Sequence, residues 1–257
     1  MTGSEGEPDE AEETAGVPAV DSALVDVVLR PVRGHMAFES CIEQLGSAIR
    51  LGIFRPGDRL PSERELADRL SVSRATLREA MSALRAAGFV STSRGRGGGT
   101  VVETAAGDWT AAPITGTDRK AEIEDLTVFR SVIEPGAAYR AAQSDLSADQ
   151  RQLLTGCLHA LAGAGSPSEY RQADARLHLA IAAVCGSDAL SSACGAVQVR
   201  IHQFLAEIPF LQKNIESSDE QHRVIVQAIL DGDADRARFV MQDHCAATAA
   251  LLKGLLK

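Results

Sequence analysis

Between Pro56 and Thr100 the chain reads PGDRLPSERELADRLSVSRATLREAMSALRAAGFVSTSRGRGGGT. Two capped helices, a tight turn and a glycine-arginine hairpin follow one another there, in the order of a winged helix-turn-helix. Ser62 and Glu65 form an S-x-x-E capping box behind Pro61, so a helix opens at Ser62 and buries Leu66 and Leu70 one turn apart. Ser71 and Val72 make the turn. Ser73 caps a second helix whose Leu77, Met81 and Leu84 share one face, and Gly88 ends it in a position that suits a left-handed residue. Arg74, Thr76 and Arg78 therefore lie on its first turns and point away from the core. The N-terminal turns of a recognition helix are the part that reads the major groove, and arginine grips guanine through O6 and N7 together. After the β-rich run Phe89–Thr92, Arg94, Gly95 and Arg96 open a glycine tip that leads into Thr100–Val102. Two short strands around a cationic tip make a wing suited to the phosphate backbone or the minor groove.

The stretch from Phe38 to Val102 resembles the DNA-binding domain of GntR-type bacterial regulators, matching their PGxxLPSEReLA segment, their VSRxTxReAlxxLxxxG segment and their basic glycine wing. The resemblance implies that Arg64, Arg74, Thr76, Arg78, Arg94 and Gly95 occupy DNA-contacting positions, with Arg96 beside them in the wing. Its expected partner is double-stranded DNA, a short palindromic operator bound by a homodimer. Ala75 stands where the family often has threonine, which removes one hydroxyl from the helix.

Charge follows the same division, although the whole chain carries −9. Residues 1–29 hold eight acids and no base, residues 30–104 carry a net +4 built on arginine alone, and residues 105–257 carry −5. Positive charge is thus confined to the module that would meet phosphate. The expected organisation is an acidic, disordered tail over 1–29, a winged helix-turn-helix over 30–104, a linker over 105–118 and an all-helical domain over 119–257. Trp109 in that Ala/Thr/Gly-rich linker reads as a hydrophobic pin between domains.

The five cysteines lack C-x-x-C spacing and read as reduced core filler, and the N-terminus has neither the bases nor the apolar run of a targeting peptide. No apolar stretch reaches the roughly 20 residues of a membrane span, so the expected setting is the cytoplasm, with no membrane partner.

Beyond the linker nearly every segment has helical period. Helices are expected from Ile123 to about Ala142, around Leu153–Leu161, over Tyr170–Val184, Ala189–Ile208, Glu220–Leu230 and Ala234–Leu252, separated by glycine, proline and Asp-Gly-Asp breaks. The fold class is mainly α, a winged helix-turn-helix followed by an antiparallel bundle of six or seven helices. Asp174 and His178, four apart, share a helix face. His222 and His244 flank the Asp231–Asp233 turn at similar distances, so a hairpin brings them to nearly the same height. Three imidazoles and a carboxylate around one point suit a divalent first-row transition metal such as zinc, nickel or manganese. Spacing alone also fits a surface ion pair or a hydrogen-bonded core histidine.

Residues 119–252 resemble the FadR C-terminal (FCD) domain, the all-helical effector module of the FadR branch of GntR regulators. The resemblance rests on DLTVFRSVIEPGAAYRAA, the D-x-x-x-H, EQHRVIVQAILDGDADRAR and the later M-Q-D-H. It implies Asp174, His178, His222 and His244 as metal ligands and Arg130 as the residue that reaches the carboxylate of a small organic acid. Read alone, Arg130 is an ordinary surface pair with Glu134 one turn along. Arg200 and His202 are further candidates for the effector pocket. Asp188 replaces the asparagine of the family's A-x-G-N segment. The expected function is a ligand-responsive regulator, a repressor with no catalytic residues. Two alternatives stay open: a metal-dependent hydrolase or lyase fused to a DNA module, or a regulator whose metal is purely structural.

Overall fold

The computed structural model describes residues 21–32, 37–93, 99–103 and 119–256. In chain order these form α1 (Ser22–Val28), α2 (Ala37–Arg50), α3 (Glu63–Leu70), α4 (Arg74–Ala86), β1 (Val90–Ser93), β2 (Gly99–Val102), α5 (Arg119–Ala142), α6 (Ala148–Ala162), α7 (Pro167–Ala183), α8 (Asp188–Ala206), α9 (Gln212–Asp231) and α10 (Ala234–Leu255).

The serine caps set the N-terminal helix-turn-helix module. Ser62 Oγ accepts the Glu65 amide at 3.2 Å and Ser73 Oγ accepts the Thr76 amide at 3.0 Å, so each helix starts where its cap satisfies an otherwise unpaired donor. Between them Ser71 turns the chain in the left-handed region, φ 54°, while its amide and that of Val72 reach back to Asp68 and Ala67 carbonyls. Leu66, Leu70, Leu77, Met81 and Leu84 are buried, with α4 packed against both α2 and α3, as their spacing requires. β1 and β2 pair antiparallel with Val90 opposite Val102. The segment before α3 joins them, since the Leu60 amide donates to the Thr100 carbonyl and the Gly57 amide to that of Val102.

The expected disordered tail over residues 1–29 is corrected at its C-terminal end. Asp21 caps α1, and Leu24, Val25, Val27 and Val28 bury themselves against α7 and α8. An apolar run of this kind folds when another surface stands ready to cover it. Residues 1–20, and the linker 105–118 with Trp109, lie outside the described residues.

Six helices make the C-terminal bundle. Tyr139 meets Arg238 and Glu134 meets Cys245, so α5 and α10 run antiparallel. Gly232, at φ 78°, folds α9 back into α10. α9 begins at Gln212 rather than Glu220, because its first turns are polar and carry little apolar period. All five cysteines are free and buried, and among the described residues no helix is long and apolar enough to cross a membrane.

The two modules share one apolar core, which runs from Leu45 and Phe54 through α1 to Leu177 and Leu179. α7 also donates across the junction. Arg176 Nη1 reaches the Gly52 carbonyl at 2.6 Å and Gln172 Nε2 the Arg50 carbonyl at 3.3 Å, just past the end of α2. On the other side α1 lies so close to α8 that a Cβ on Gly195 would stand 2.9 Å from the Val27 carbonyl oxygen. Arg30 adds a bond to Ser191 Oγ at 3.2 Å.

Candidate functional site

Three helices bring one polar cluster together. α7 supplies Asp174 and His178 from successive turns, α9 supplies His222 and α10 supplies His244. One ligand atom from each lies within 4.8 Å of the others. The ring centroids are 4.6 Å apart for His222 and His244, 5.0 Å for His178 and His244, and 5.5 Å for His178 and His222. All three imidazoles are buried, and burial, reinforced by the neighbouring positive groups, holds His222 and His244 well below the ordinary imidazole value. They are therefore neutral near pH 7, the state in which an imidazole nitrogen can ligate a metal.

Burial pushes the Asp174 carboxyl above its ordinary value, and the charges of His178 and Arg130 pull it back down. His222 Nε2 stands 3.3 Å from Asp174 Oδ1. That contact lacks hydrogen-bond geometry, and neither ring nitrogen of His222 nor Nε2 of His178 has a hydrogen-bond partner among the described residues. Buried polar atoms left without a partner cost about 1–3 kcal/mol each, so the cluster is chemically incomplete.

A residue read as a surface partner completes the surroundings. Glu134 and Arg130 are 3% and 2% exposed, which corrects the helix-surface reading of that pair. Glu134 Oε1 accepts from Arg130 Nε at 3.0 Å and from Gln198 Nε2 at 2.6 Å, while Oε2 lies 2.8 Å from His178 Nδ1. Burial would raise the Glu134 carboxyl, but the charges of Arg130 and His178 outweigh it and hold the group well below the usual carboxylate range. The Cys245 thiol, 3.7 Å from Oε2, is pushed by burial up to about 12 and stays neutral. Arg130 Nη1 is buried without a hydrogen-bond partner among the described residues. Glu134 was legible only in its setting, an acid among Ile133, Pro135, Ala137 and Ala138 on a face that had to be buried.

A cavity of about 50 Å³ reaches this cluster at Asp174 and His244. A single water needs about 10–15 Å³, so there is room for a ligand of a few heavy atoms. Its lining includes Tyr170, Arg171, Asn214, Ser218 and Thr248. Arg171, which the sequence did not single out, also donates to the Ile208 carbonyl at 2.7 Å. Arg130, Arg200 and His202, the three residues expected at an effector pocket, do not line it. Arg200 pairs with Glu122 and lies over the Phe204 ring, and His202 sits near Arg171 and Arg50 at the junction with the N-terminal module.

On that module Arg74 and Arg78 are exposed on the first turns of α4, with Thr76 half-buried between them, and Arg64 is exposed on α3. Arg78 Nε lies 3.6 Å from Glu63 Oε2, an exposed pair weak enough for phosphate or a base edge to replace. Arg94, Gly95 and Arg96 lie outside the described residues.

Residues 39–102 match the family described as bacterial regulatory proteins, gntR family, and residues 125–247 match the FCD domain. Among similar proteins, RmpR of Mycobacterium gastri, named as an HTH-type transcriptional regulator, is 31% identical over 80% of this chain and 76% of its own length. A protein of Escherichia coli K12 assigned to regulation of the L-lactate dehydrogenase operon is 30% identical over 77% of this chain and 79% of its own. Among solved structures, E. coli McbR/YncC superposes with a TM-score of 0.51 at 19% identity, covering 85% of this chain and 98% of that one, a likeness of fold alone.

Proposed function

Since the chain belongs to the gntR family of bacterial regulatory proteins and carries an FCD domain, it is a transcriptional regulator, and we propose that it is a repressor, a homodimer on a short palindrome, that senses a small carboxylate through a metal. Members of this family regulate transcription and are not enzymes, so the hydrolase or lyase reading of the His/Asp set falls away.

The observation that carries the proposal is the set of unpartnered buried groups. Ring nitrogens of His178 and His222, which share one cluster, and a guanidinium nitrogen of Arg130 are buried without a hydrogen-bond partner among the described residues, each costly unless something binds there. Asp174, His178, His222 and His244 fit a first-row divalent ion in donor type and mutual distance, with His222 and His244 held neutral by burial. Bound there, such an ion supplies Lewis-acid positions for the oxygens of a carboxylate. The cavity at Asp174 and His244 gives a small acid its way in, and Arg130, buried behind the cluster rather than on the cavity wall, keeps one donor for a ligand that passes that opening. The relative assigned to the L-lactate dehydrogenase operon puts short 2-hydroxy acids first among the candidates.

α7 supplies the route to DNA. Asp174 and His178 lie on one of its faces, and Gln172 and Arg176, two positions away from each, hold the carbonyls at the end of α2. A ligand that shifts the first pair shifts the second with it. Ligand and DNA then compete through the stance of one helix, at a coupling of about 1–3 kcal/mol.

Operator affinity of the full-length protein, measured with and without a panel of short carboxylates led by lactate, tests the proposal. Purified without chelator, the protein should carry about one divalent ion per chain and lose it in His222→Ala/His244→Ala. One acid should weaken operator binding about 5–150-fold, and Arg130→Ala should cancel that effect with metal content intact. Arg74→Ala or Arg78→Ala should remove base discrimination worth about 1–3 kcal/mol. An acid that binds the wild type calorimetrically and leaves operator affinity unchanged would leave the metal a structural role only.

A further inference from the structure

We propose that the outward face of α5 is where two copies of this chain meet, antiparallel, about a two-fold axis at Val132; the inference deepens the homodimer proposed above and rests on it. Six large apolar side chains stand exposed among the described residues, and three of them, Val128, Phe129 and Val132, lie within five residues of α5 at 61, 48 and 68%. Apolar surface gathered on one helix face marks a contact, whereas scattered exposed residues do not. Val128, Val132 and Gly136 follow one another at four-residue spacing, and half-buried Tyr139, under the Arg238 guanidinium, continues the stripe.

Charge at the two ends of the stripe selects the occupant. Glu124 and Asp125 are exposed toward the N-terminus of α5 and Arg140 is exposed near its C-terminus. In an antiparallel contact centred on Val132, each residue before the centre faces the one equally far after it in the other copy. Glu124 then faces Arg140 of the second copy, Val128 faces Gly136, and Val132 faces itself. A parallel copy would set acid against acid and base against base. The face is thus complementary to itself in one orientation, the property a two-fold contact requires.

Gly136 fits the same contact. Among the described residues, its own helix backbone aside, no atom lies within 4 Å of where its Cβ would stand, as is also true of the helical Gly156 and Gly254, so the position is open toward a partner. Glycine is among the poorest residues for a helix interior. Close approach of a second α5 supplies the reason, since the missing side chain leaves a hollow for Val128 of the other copy.

Sedimentation equilibrium of the full chain tests the contact with wild type, Val132→Glu, Glu124→Arg, Arg140→Glu and the double reversal Glu124→Arg/Arg140→Glu. The wild type should be a dimer, and Val132→Glu should raise its dissociation constant about a hundredfold or more, because two carboxylates would meet at the axis. Each single reversal should raise it about tenfold, and the double reversal should return it to within about threefold of wild type. Far-ultraviolet circular dichroism spectra at about 20 °C should coincide, since every altered side chain is exposed, while melting temperatures should fall in step with the loss of dimer. Dimers of unchanged strength in all variants would place the contact on another face and overturn this inference while the homodimer stands, as would a second, unrelated protein being needed to cover the stripe. Failure of the double reversal to rescue would overturn the register. A monomeric wild type would remove the homodimer and this contact together.

Discussion

At Glu134 a single buried carboxylate answers to Arg130, Gln198 and His178 at once. Glu134→Gln keeps the shape and removes the charge, leaving Arg130 buried beside a neutral amide. Breaking a buried pair in this way costs about 3–5 kcal/mol, and loss of a partner behind a metal ligand costs about 10–100-fold in metal affinity. Urea unfolding of the variant and competition with a chelator should show both losses. Equal metal affinity in variant and wild type would mean that Glu134 holds Arg130 and does nothing for His178. His202 gives a second expectation at the same scale. Burial is the main cause that lowers its imidazole from 6.5 to about 4, with nearby Arg171 and Arg50 adding to it. The folded state therefore binds fewer protons there than the unfolded chain between about pH 4 and 6.5. Its contribution to stability is complete above 6.5 and is lost as pH falls through that window. His202→Gln should flatten the fall of unfolding free energy between pH 6.5 and 4, and an unchanged slope would mean that the ring is hydrated in the fold.

Elements differ in how openly the sequence declares them. The caps at Ser62 and Ser73 and the turn at Ser71 were legible because they are local, linking residues three to five positions apart; the structure has both serine caps, but Glu65 pairs with Arg69 rather than returning to the Ser62 amide, so the expected capping box is half formed. α7 was legible by half. The spacing of Asp174 and His178 could be read from one helix, but nothing in it tells that Gln172 and Arg176 face the other module, since their acceptors are backbone carbonyls, which carry no sequence. α1 stayed hidden because an acidic composition over the first 29 residues masked one short apolar run whose cover lies far along the chain. Its docking depends on Gly195 of α8, where a methyl group would press on the Val27 carbonyl at 2.9 Å. Gly195→Ala should loosen α1 by about 1–3 kcal/mol, the usual cost of overpacking. Amide exchange should rise across Val25–Leu29 with metal content unchanged, and undiminished protection there would show that α1 rests on its other contacts.

Across the whole molecule the apolar core does not stop where the two family matches end. Composition and charge divide the chain into a DNA-reading part and a helical part, and they describe two separate bodies. The structure joins them through α1, through Arg30 and Ser191, and through the clasp of Arg176 on the Gly52 carbonyl. That clasp bears on operator geometry. Base pairs inserted between two half-sites rotate one against the other by about 35° each, and roughly ten bring them back to the same side of the duplex. A reading head on a free tether would lose binding with five inserted base pairs and regain it with ten. Heads seated on α7 keep a fixed reach, so both insertions should abolish specific binding of the full-length protein in a gel-shift series. Recovery at ten would mean that the heads leave their seats on DNA. Fixed seating makes the distance between half-sites, as well as their bases, part of what this protein recognises.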